Sequence, residues 1–289
     1  MRFLPACAAI CLAAASGGVC AAQDIYIHAP AAVTAGDEAK LSTSGSGKAT
    51  FYLSGPGVSR KTDISLGEEI PLRAQDLRVA GRYLAVACSS TCRSTTFYVS
   101  AAQPETLAFL VHPSRVPVAQ SDAVSGVALP FDQFHNLVLT PLNVNFQLTA
   151  GNASLLSRAA PTRDGIAWFR SSSGRAAGTL QVTASLDNVP VLRAVQEVAS
   201  DPCNLRINGQ RTPAGISVQT EPVHDCAGNA VPDGTIVTFT ATDAGGKSTV
   251  DAPIKHGIAR AEIESSSATV ITAASGVVMG NELRLGAQR

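Results

Sequence analysis

The chain alternates apolar residues with small or polar residues in short runs along most of its length. Six runs show this two-residue period: "ATFYLSG" (49–55), "RYLAVAC" (82–88), "TTFYVS" (95–100), "LNVNFQL" (142–148), "GTLQVTAS" (178–185) and "TIVTFTAT" (235–242). Such alternation is typical of strands with one buried face, and the frequent Thr, Val, Phe and Tyr favour a pleated sheet. The pattern predicts strands and no helices of useful length.

Turn-forming residues separate these runs, in segments such as "SGPG" (54–57), "VPDG" (231–234) and "DAGGK" (243–247). Gly, Pro, Asn and Asp at such positions favour tight turns between strands. Short strands with turns and without crossover helices indicate antiparallel β-sandwiches. The fold class predicted from the sequence is therefore all-β.

One part of the chain is repeated. "DQFHNLVLTPLNVNF" (132–146) and "DCAGNAVPDGTIVTF" (225–239) share Asp, Asn, Val, Val and Phe at the same offsets, each pair 93 residues apart. "GIAWF" (165–169) and "GIARA" (257–261) continue the match at a spacing of 92 residues. A seven-stranded immunoglobulin-like sandwich takes roughly 100 residues, so the repeat indicates a fold built twice rather than a site used twice.

The spacing predicts a tandem array of three immunoglobulin-like sandwiches. The repeated domains occupy about 102–200 and 201–289, and 23–101 has the size of a third domain. In "AGRYLAVAC" a glycine lies two residues before Tyr83, as in the tyrosine corner of immunoglobulin-like F strands. We expect Tyr83 to be the corner residue of the first domain.

The later repeat, and in weaker form the earlier one, resembles the bacterial Ig-like domain group 1 found in the stalks of invasin and intimin adhesins. The matching residues of the later repeat are Asp225, Gly228, Asn229, Val231, Pro232, Gly234, Val237, Phe239, Gly257 and Ala259. Those of the earlier repeat are Asp132, Asn136, Val138, Val144, Phe146, Gly165 and Ala167. The earlier repeat departs from the family at its turns, where His135 replaces the first glycine and Thr140 and Leu142 occupy the second turn. The resemblance implies a bacterial protein that acts without catalysis in adhesion, interaction or spacing.

Each motif residue has a structural reason to be present. Val237 and Phe239 point to one face of a strand, and Gly228 and Gly234 permit turn conformations that other residues disfavour. The Asp and Asn of the motif can bond the backbone of their own turn. A calcium site at this pair is the alternative, but two oxygen donors fall short of the six to eight that Ca²⁺ takes.

The first 22 residues read as a secretory signal peptide. A single arginine precedes the apolar run "FLPACAAICLAAA", and small residues lead to cleavage after Ala22. Lipidation at Cys20 is an alternative, although Val19 stands where lipoprotein signals carry a small residue. No later run is long and apolar enough for a transmembrane anchor. We expect a secreted or periplasmic protein.

Charge and cysteine content narrow the possible partners and compartments. Lys and Arg number 22 and Asp and Glu also 22, a balance that argues against nucleic acid or an anionic membrane surface. Outside the signal peptide, four cysteines form an even set in an oxidising compartment. Of the three possible connectivities we favour Cys88–Cys92 with Cys203–Cys226, since each bond then stays inside one domain. A metal or redox role for the closely spaced Cys88 and Cys92, or free thiols, are the alternatives.

Motifs for catalysis or cofactor binding are incomplete. "GSGKA" (45–49) resembles a phosphate-binding loop, but it lacks the first glycine and the magnesium-binding hydroxyl, and a strand follows it. The five histidines are scattered over turns and strand ends, at positions 28, 112, 135, 224 and 256. A hydrolase would need the fold to gather one of them with a serine and a carboxylate. The sequence therefore predicts no enzyme, no metal and no cofactor.

Trp168 is the best candidate for a contact residue. The alternation of "GIAWFRS" (165–171) directs Ala167 and Phe169 inward and Trp168 outward beside Arg170. Trp and Arg are enriched in contact surfaces, and an aromatic plane also suits sugar rings. The partner would be a protein or a polysaccharide at the cell envelope. A carbohydrate-binding accessory protein is thus the alternative to a spacer, and packing of Trp168 against a loop or a neighbouring domain is the structural alternative.

Overall fold

The computed structural model describes residues 25–187 and 189–287. The expected signal peptide (1–22), with Ala22 and Cys20, lies outside the described residues. The described chain is almost entirely β-structure, which confirms the all-β fold class. It divides into two compact units, the first ending at Ser100 and the second beginning at Ala101.

The first unit is a sandwich of two sheets with one 3₁₀ turn at Ala74–Leu77. Its strands are β1 (Tyr26–His28), β2 (Val33–Thr34), β3 (Ala39–Ser44), β4 (Lys48–Gly55), β5 (Val58–Ser65), β6 (Glu69–Leu72), β7 (Gly81–Cys88) and β8 (Cys92–Ser100). One sheet has the order β1-β3-β6 and the other β2-β8-β7-β4-β5. All pairs are antiparallel except β2 with β8.

Tyr83 lies at the centre of this unit and fulfils the expected corner role. Its side chain is fully buried, its ring stacks on Phe97 at a centroid distance of 5.4 Å, and its hydroxyl donates to the Val79 carbonyl at 2.8 Å. The hydroxyl thereby finds an acceptor inside an apolar core, where an unpaired donor would be costly. Burial raises the pKa of Tyr83.

The second unit begins with a sandwich formed by eight strands. They are β9 (Pro104–His112), β10 (Arg115–Pro117), β11 (Val124–Asp132), β12 (Asn143–Ala150), β13 (Ala153–Pro161), β14 (Ala167–Ser171), β15 (Gly178–Leu186) and β16 (Val189–Val198). Its two sheets have the orders β14-β11-β9 and β10-β16-β15-β12-β13, with β10 parallel to β16. We call this the second sandwich.

A third sandwich completes the second unit. Its strands are β17 (Pro202–Asn204), β18 (Ile207–Thr212), β19 (Gly215–Thr220), β20 (His224–Asp225), β21 (Ile236–Asp243), β22 (Gly246–Pro253), β23 (Arg260–Ile263), β24 (Thr269–Ser275), β25 (Val278–Met279) and β26 (Leu283–Leu285). The orders are β17-β20, β18-β19-β23 and β22-β21-β24, where β24 also pairs with β25 and β26.

Each sandwich of the second unit has its own hydrophobic core, made by the inward residues of the alternating strands. Phe109, Phe146 and Phe169 meet in the second sandwich at centroid distances of 5.0 to 6.5 Å. Val237 and Phe239 are fully buried in the third, as predicted. The six alternating runs all form strands, so the period-2 prediction is confirmed.

Candidate functional site

Trp168 lies on β14 and points to solvent. Its neighbours Ala167 and Phe169 are buried in the core, whereas the Trp168 side chain remains 62% exposed. The structure thus agrees with the alternation expected from the sequence. Among residues 25–187 and 189–287, no loop or neighbouring sandwich covers this ring.

Trp168 belongs to a row of apolar side chains across the sheet β14-β11-β9. Val127 of β11 is the register partner of both Trp168 and Leu110 of β9, so the three lie side by side on the outer face. Leu110 is 68% exposed and Val127 is half-buried. We call these three residues the apolar row. Sequence reasoning missed Leu110 and Val127, although the outward positions of "LAFLVH" (107–112) gave a signal.

Arg170 lies in the next row of the same face. Its register partner is Ser125, which also pairs with His112, and we call these three residues the polar row. Arg158 of the other sheet reaches the same edge, where its Nη2 donates to the Trp168 carbonyl at 3.5 Å. The face therefore places hydrogen-bond donors beside an apolar strip.

The repeated Asp–Asn motif holds a turn and the preceding linker together. In the third sandwich, Oδ1 of Asp225 accepts from the Ala227 and Asn229 amides at 2.8 and 2.9 Å. Oδ2 accepts from the Ser200 amide and from Nδ2 of Asn229, both at 3.0 Å. One carboxylate oxygen closes the turn, and the other fixes the chain that enters the sandwich.

The earlier copy of the motif makes the same division. Oδ1 of Asp132 accepts from the Phe134 and Asn136 amides, at 2.9 and 2.8 Å. Oδ2 accepts from the Ala102 amide at 2.8 Å and from Nδ2 of Asn136 at 2.9 Å. The sequence predicted the bonds within the turn but not the bonds to residues 30 and 25 positions upstream.

These hydrogen bonds set the acidity of both carboxyls. Burial by itself would raise the pKa of Asp132 and Asp225, because it penalises the charged form. The bonds donated by the asparagine side chains and by the backbone amides outweigh burial, and the pKa of each aspartate lies below its usual range. Both groups are carboxylates at neutral pH.

Asn229 joins the third sandwich to the second. Its Nδ2 donates to the Arg175 carbonyl and its Oδ1 accepts from the Ala177 amide, each at 2.9 Å. Together with the bond from the Ser200 amide to Asp225, these contacts form a joint between the two sandwiches. Sequence reasoning assigned Asn229 to its own turn and missed this bridge.

The loop that receives Asn229 is itself fixed by the second sandwich. The Gly174 amide donates to Oε1 of Glu197, which is 1% exposed, and the Ala119 amide donates to the Gly174 carbonyl at 2.7 Å. A Cβ at position 174 would lie 2.9 Å from the Glu197 carboxylate, so a larger residue there would displace this side chain. The buried glutamate thus positions residues 175–177 for the joint.

A cavity of about 420 Å³ lies beside the joint. Arg115 and Gln120 of the second sandwich line it together with Asp201 of the linker and Val231 and Thr235 of the third. The two sandwiches therefore do not merge into one core here. Hydrogen bonds at the joint link the two sandwiches beside this cavity.

The cysteines come together in the two predicted pairs. Cys88 and Cys92 form a disulfide with their Cα atoms 4.1 Å apart, and Cys203 and Cys226 form one at 4.7 Å. The second bond follows Asp225 directly and ties the entry strand β17 to the motif turn. No group of three His, Cys, Asp or Glu side chains suited to a metal exists within 25–187 and 189–287.

The histidines lie in separate places. His135 and His256 occupy turns with positive φ, 65° and 51°, and Nδ1 of His256 is 4.0 Å from Asp233 with both side chains exposed to solvent. Nδ1 of His224 lies 3.1 Å from the Pro222 carbonyl.

In "GSGKA" the strand β4 begins at Lys48, as expected. Across the described part of the chain, no helix is long and apolar enough to cross a membrane.

No family model and no curated protein matches this chain. Solved structures do. The Escherichia coli adhesin FdeC is 14% identical with a TM-score of 0.62, and the match covers 91% of this chain and 96% of that one. Invasin, a bacterial integrin-binding protein, is 12% identical with a TM-score of 0.48, over 89% of this chain and 58% of that one. InvD of Yersinia pseudotuberculosis is 11% identical with a TM-score of 0.47, over 92% and 98%.

At these identities the likeness is one of fold. The FdeC match extends over nearly the whole of both chains, so it includes successive sandwiches and not a single domain alone. The chain is therefore a tandem array of immunoglobulin-like sandwiches of a kind that also occurs in a bacterial adhesin.

Proposed function

We propose that this chain is an exported, non-catalytic protein of the bacterial cell envelope, in which immunoglobulin-like sandwiches present a contact surface. We call the second and third sandwiches, held together by the joint, the arm. The proposal comprises a signal peptide (1–22) and three domains at 23–101, 102–200 and 201–289. The last two are proposed to belong to the bacterial Ig-like domain group 1. The partner is a protein or a polysaccharide outside the cytoplasm.

The joint between the second and third sandwiches carries this proposal. A spacer must keep its domains in a fixed relation, whereas a plain linker leaves its amides to water and its domains free to reorient. Here the Ser200 amide is bonded to a buried carboxylate, and Asn229 makes two further bonds to the neighbouring sandwich. Such a joint transmits position from one domain to the next.

The covalent chemistry supports the proposed compartment. Two disulfides are normal in secreted and periplasmic proteins and rare in the cytosol. The description of FdeC as an adhesin agrees with a role in surface contact. The motif residues that suggest the domain group are accounted for by turn, linker and core contacts, which is what a structural module requires.

A distance measurement between the two sandwiches tests the arm. Spin labels on Gln147→Cys and Gln210→Cys, both on exposed strand positions, report the separation of the second and third sandwiches by pulsed electron resonance. We expect a narrow distance distribution in the otherwise unchanged chain. Asp225→Asn keeps the side-chain oxygen that the turn uses, but it presents its NH₂ group to the Ser200 amide. Because two donors then face each other, this hydrogen bond is lost and the distance distribution should broaden.

Two outcomes contradict the proposal. A broad distribution in the parent chain would mean that the joint does not fix the domains. The protein is also expressed in a bacterium, and mass spectrometry determines its N-terminus. A protein that keeps residues 1–22 and stays in the cytoplasmic fraction would contradict export. Asn136→Asp serves as a control, because it alters the earlier motif and leaves the joint intact.

A further inference from the structure

The third sandwich shows whether this fold needs apolar residues at the positions of the apolar row. The row at the same place in its sheet β18-β19-β23 consists of Asn208, Gln219 and Arg260, paired in the same register. Nε of Arg260 donates to Oε1 of Gln219 at 3.0 Å, so this row is both polar and internally bonded. The same sheet thus folds with a polar outer row, and the fold does not demand Leu110, Val127 and Trp168.

The apolar patch is larger than one row. Leu129 continues this face on β11, where it is half-buried and pairs with Ala108. Ile166, which is 41% exposed, directly precedes β14. Single exposed apolar residues are ordinary, but a contiguous exposed patch marks a site of contact. Strands of soluble sandwiches normally place polar residues at these positions.

Charge on the face has one sign. Nine outward positions cover it, namely 108, 110, 112, 125, 127, 129, 166, 168 and 170, and none of the nine carries Asp or Glu. Arg170 and His112 are the ionisable groups among them, and Arg158 adjoins the edge at Trp168. In the third sandwich the residue equivalent to Arg170 is Glu262, paired with Ser217. The second sandwich has therefore exchanged a carboxylate for a guanidinium beside its apolar row.

The size of the face favours a narrow ligand. Three strands about 4.8 Å apart and rows about 6.8 Å apart give a footprint of about 300 Å². Each partner in a stable protein interface buries about 800 Å². A dimer through this face would also bring two Arg170 side chains together with no carboxylate on either face to pair with them.

We propose that the apolar and polar rows together bind an acidic polysaccharide, one whose sugar rings carry carboxylates. The C–H face of a pyranose ring stacks on the indole of Trp168 and extends over Val127 toward Leu110. A ring carboxylate then reaches Arg170, whose planar guanidinium suits bidentate pairing. The inference rests on the proposed function only for the location of the protein outside the cytoplasm, where such polymers occur.

Trp168 makes the test direct, because it is the one tryptophan of the chain. Its fluorescence is recorded during titration of the full mature chain with polygalacturonate oligomers at neutral pH. The matched control ligand is the fully methyl-esterified form, which has the same backbone without the charge. We expect a saturable change in emission with the acid form, and added salt should weaken this binding. With the ester, half-saturation should need an oligomer concentration at least tenfold higher.

Variants taken from the third sandwich separate binding from folding. Trp168→Arg reproduces the residue at the same place there and should abolish binding, measured by calorimetry, while the melting temperature stays near that of the parent. Arg170→Gln should weaken binding about tenfold or more, as expected for loss of a charge-assisted pair. The converse change Asn208→Leu, Gln219→Val and Arg260→Trp, combined with Glu262→Arg to supply the guanidinium, should give the third sandwich a new, weaker site.

Each remaining outcome overturns the inference. Equal binding of the acid and the ester would refute recognition of carboxylates. Binding that survives Trp168→Arg would place the site elsewhere. Unchanged emission with both forms of polygalacturonate would refute the ligand class. Dimers in sedimentation that Trp168→Arg dissociates would identify a second copy of this chain as the occupant. Asp225→Asn should leave binding unaltered, so failure of the arm and failure of this site are distinguishable.

Discussion

Replacing Asp225 shows how much the joint contributes to the free energy of unfolding. The carboxylate is 4% exposed and accepts three backbone amides and the Asn229 side chain. Asp225→Ala leaves all four donors without this acceptor. A freed, partly buried donor costs about 1 kcal/mol or more, and water satisfies some of them. Removing the carboxylate also removes the cost of burying its charge. We expect a net loss of about 3 kcal/mol in the free energy of unfolding of the second unit.

Asp225→Asn divides that loss between the two oxygens. The Oδ1 atom is retained for the Ala227 and Asn229 amides. The new side-chain NH₂ group faces the Ser200 amide and the Asn229 side chain, which both donated to Oδ2. We expect about half the loss, roughly 1.5 kcal/mol. Urea denaturation gives the free energies, and amide hydrogen exchange at Ser200, Ala227 and Asn229 shows which bonds have opened. In the Asn variant only Ser200 should lose protection.

The pH dependence follows from the lowered pKa of Asp225. The unfolded chain has an aspartate pKa of about 3.9, and the folded pKa lies below it, so the contribution is complete well above pH 4. It is lost as the pH falls through the folded pKa. The difference between the parent and Asp225→Ala should therefore shrink in acid. A difference that stays constant with pH, or equal losses for the Ala and Asn variants, would refute the division between the two oxygens.

Three further predictions concern other parts of the second unit. His135 adopts the left-handed backbone that Gly228 adopts in the later repeat, with φ of 65° and 89°, so His135→Gly should stabilise the chain by about 0.5–1 kcal/mol and Gly228→His should destabilise it similarly in urea titrations. The Cys203–Cys226 bond closes a separation of 23 residues, and replacing both cysteines with alanine should cost about 3 kcal/mol, measured by thermal unfolding. Trp168 is 62% exposed, so its emission should be quenched by iodide nearly as well as that of a free tryptophan; a protected, blue-shifted emission would contradict its placement.

Much of the fold could be predicted because buried and exposed residues alternate along each strand, and this two-residue period is visible in the local sequence. Residues 144 and 146, and 237 and 239, alternate with polar neighbours, and each pair fills a core. The same period placed Trp168 outward. Turn chemistry was equally local, as the positive φ of Gly228 and Gly234 shows. The repeat spacing added the tandem arrangement, since two copies of one pattern need two copies of one fold.

The surface around Trp168 needed the tertiary structure. Leu110, Val127 and Trp168 lie 17 and 41 positions apart in the chain, and only the strand order β14-β11-β9 with its register makes them neighbours. Each residue alone reads as an ordinary exposed apolar side chain. Contiguity, which turns them into a patch, is a property of pairing between strands.

The joint was also beyond the sequence, for a related physical reason. The motif fixes which side chains can accept and donate, and this local chemistry explained the turn bonds of Asp225. A carboxylate has two oxygens, however, and the turn uses mainly one of them. Which distant amide occupies the other, here Ser200, and which loop receives Asn229 depend on how the chain enters the sandwich and on the buried Glu197 that holds that loop. Hydrogen-bonding capacity is encoded residue by residue, but its partners are chosen by the packing of the whole fold.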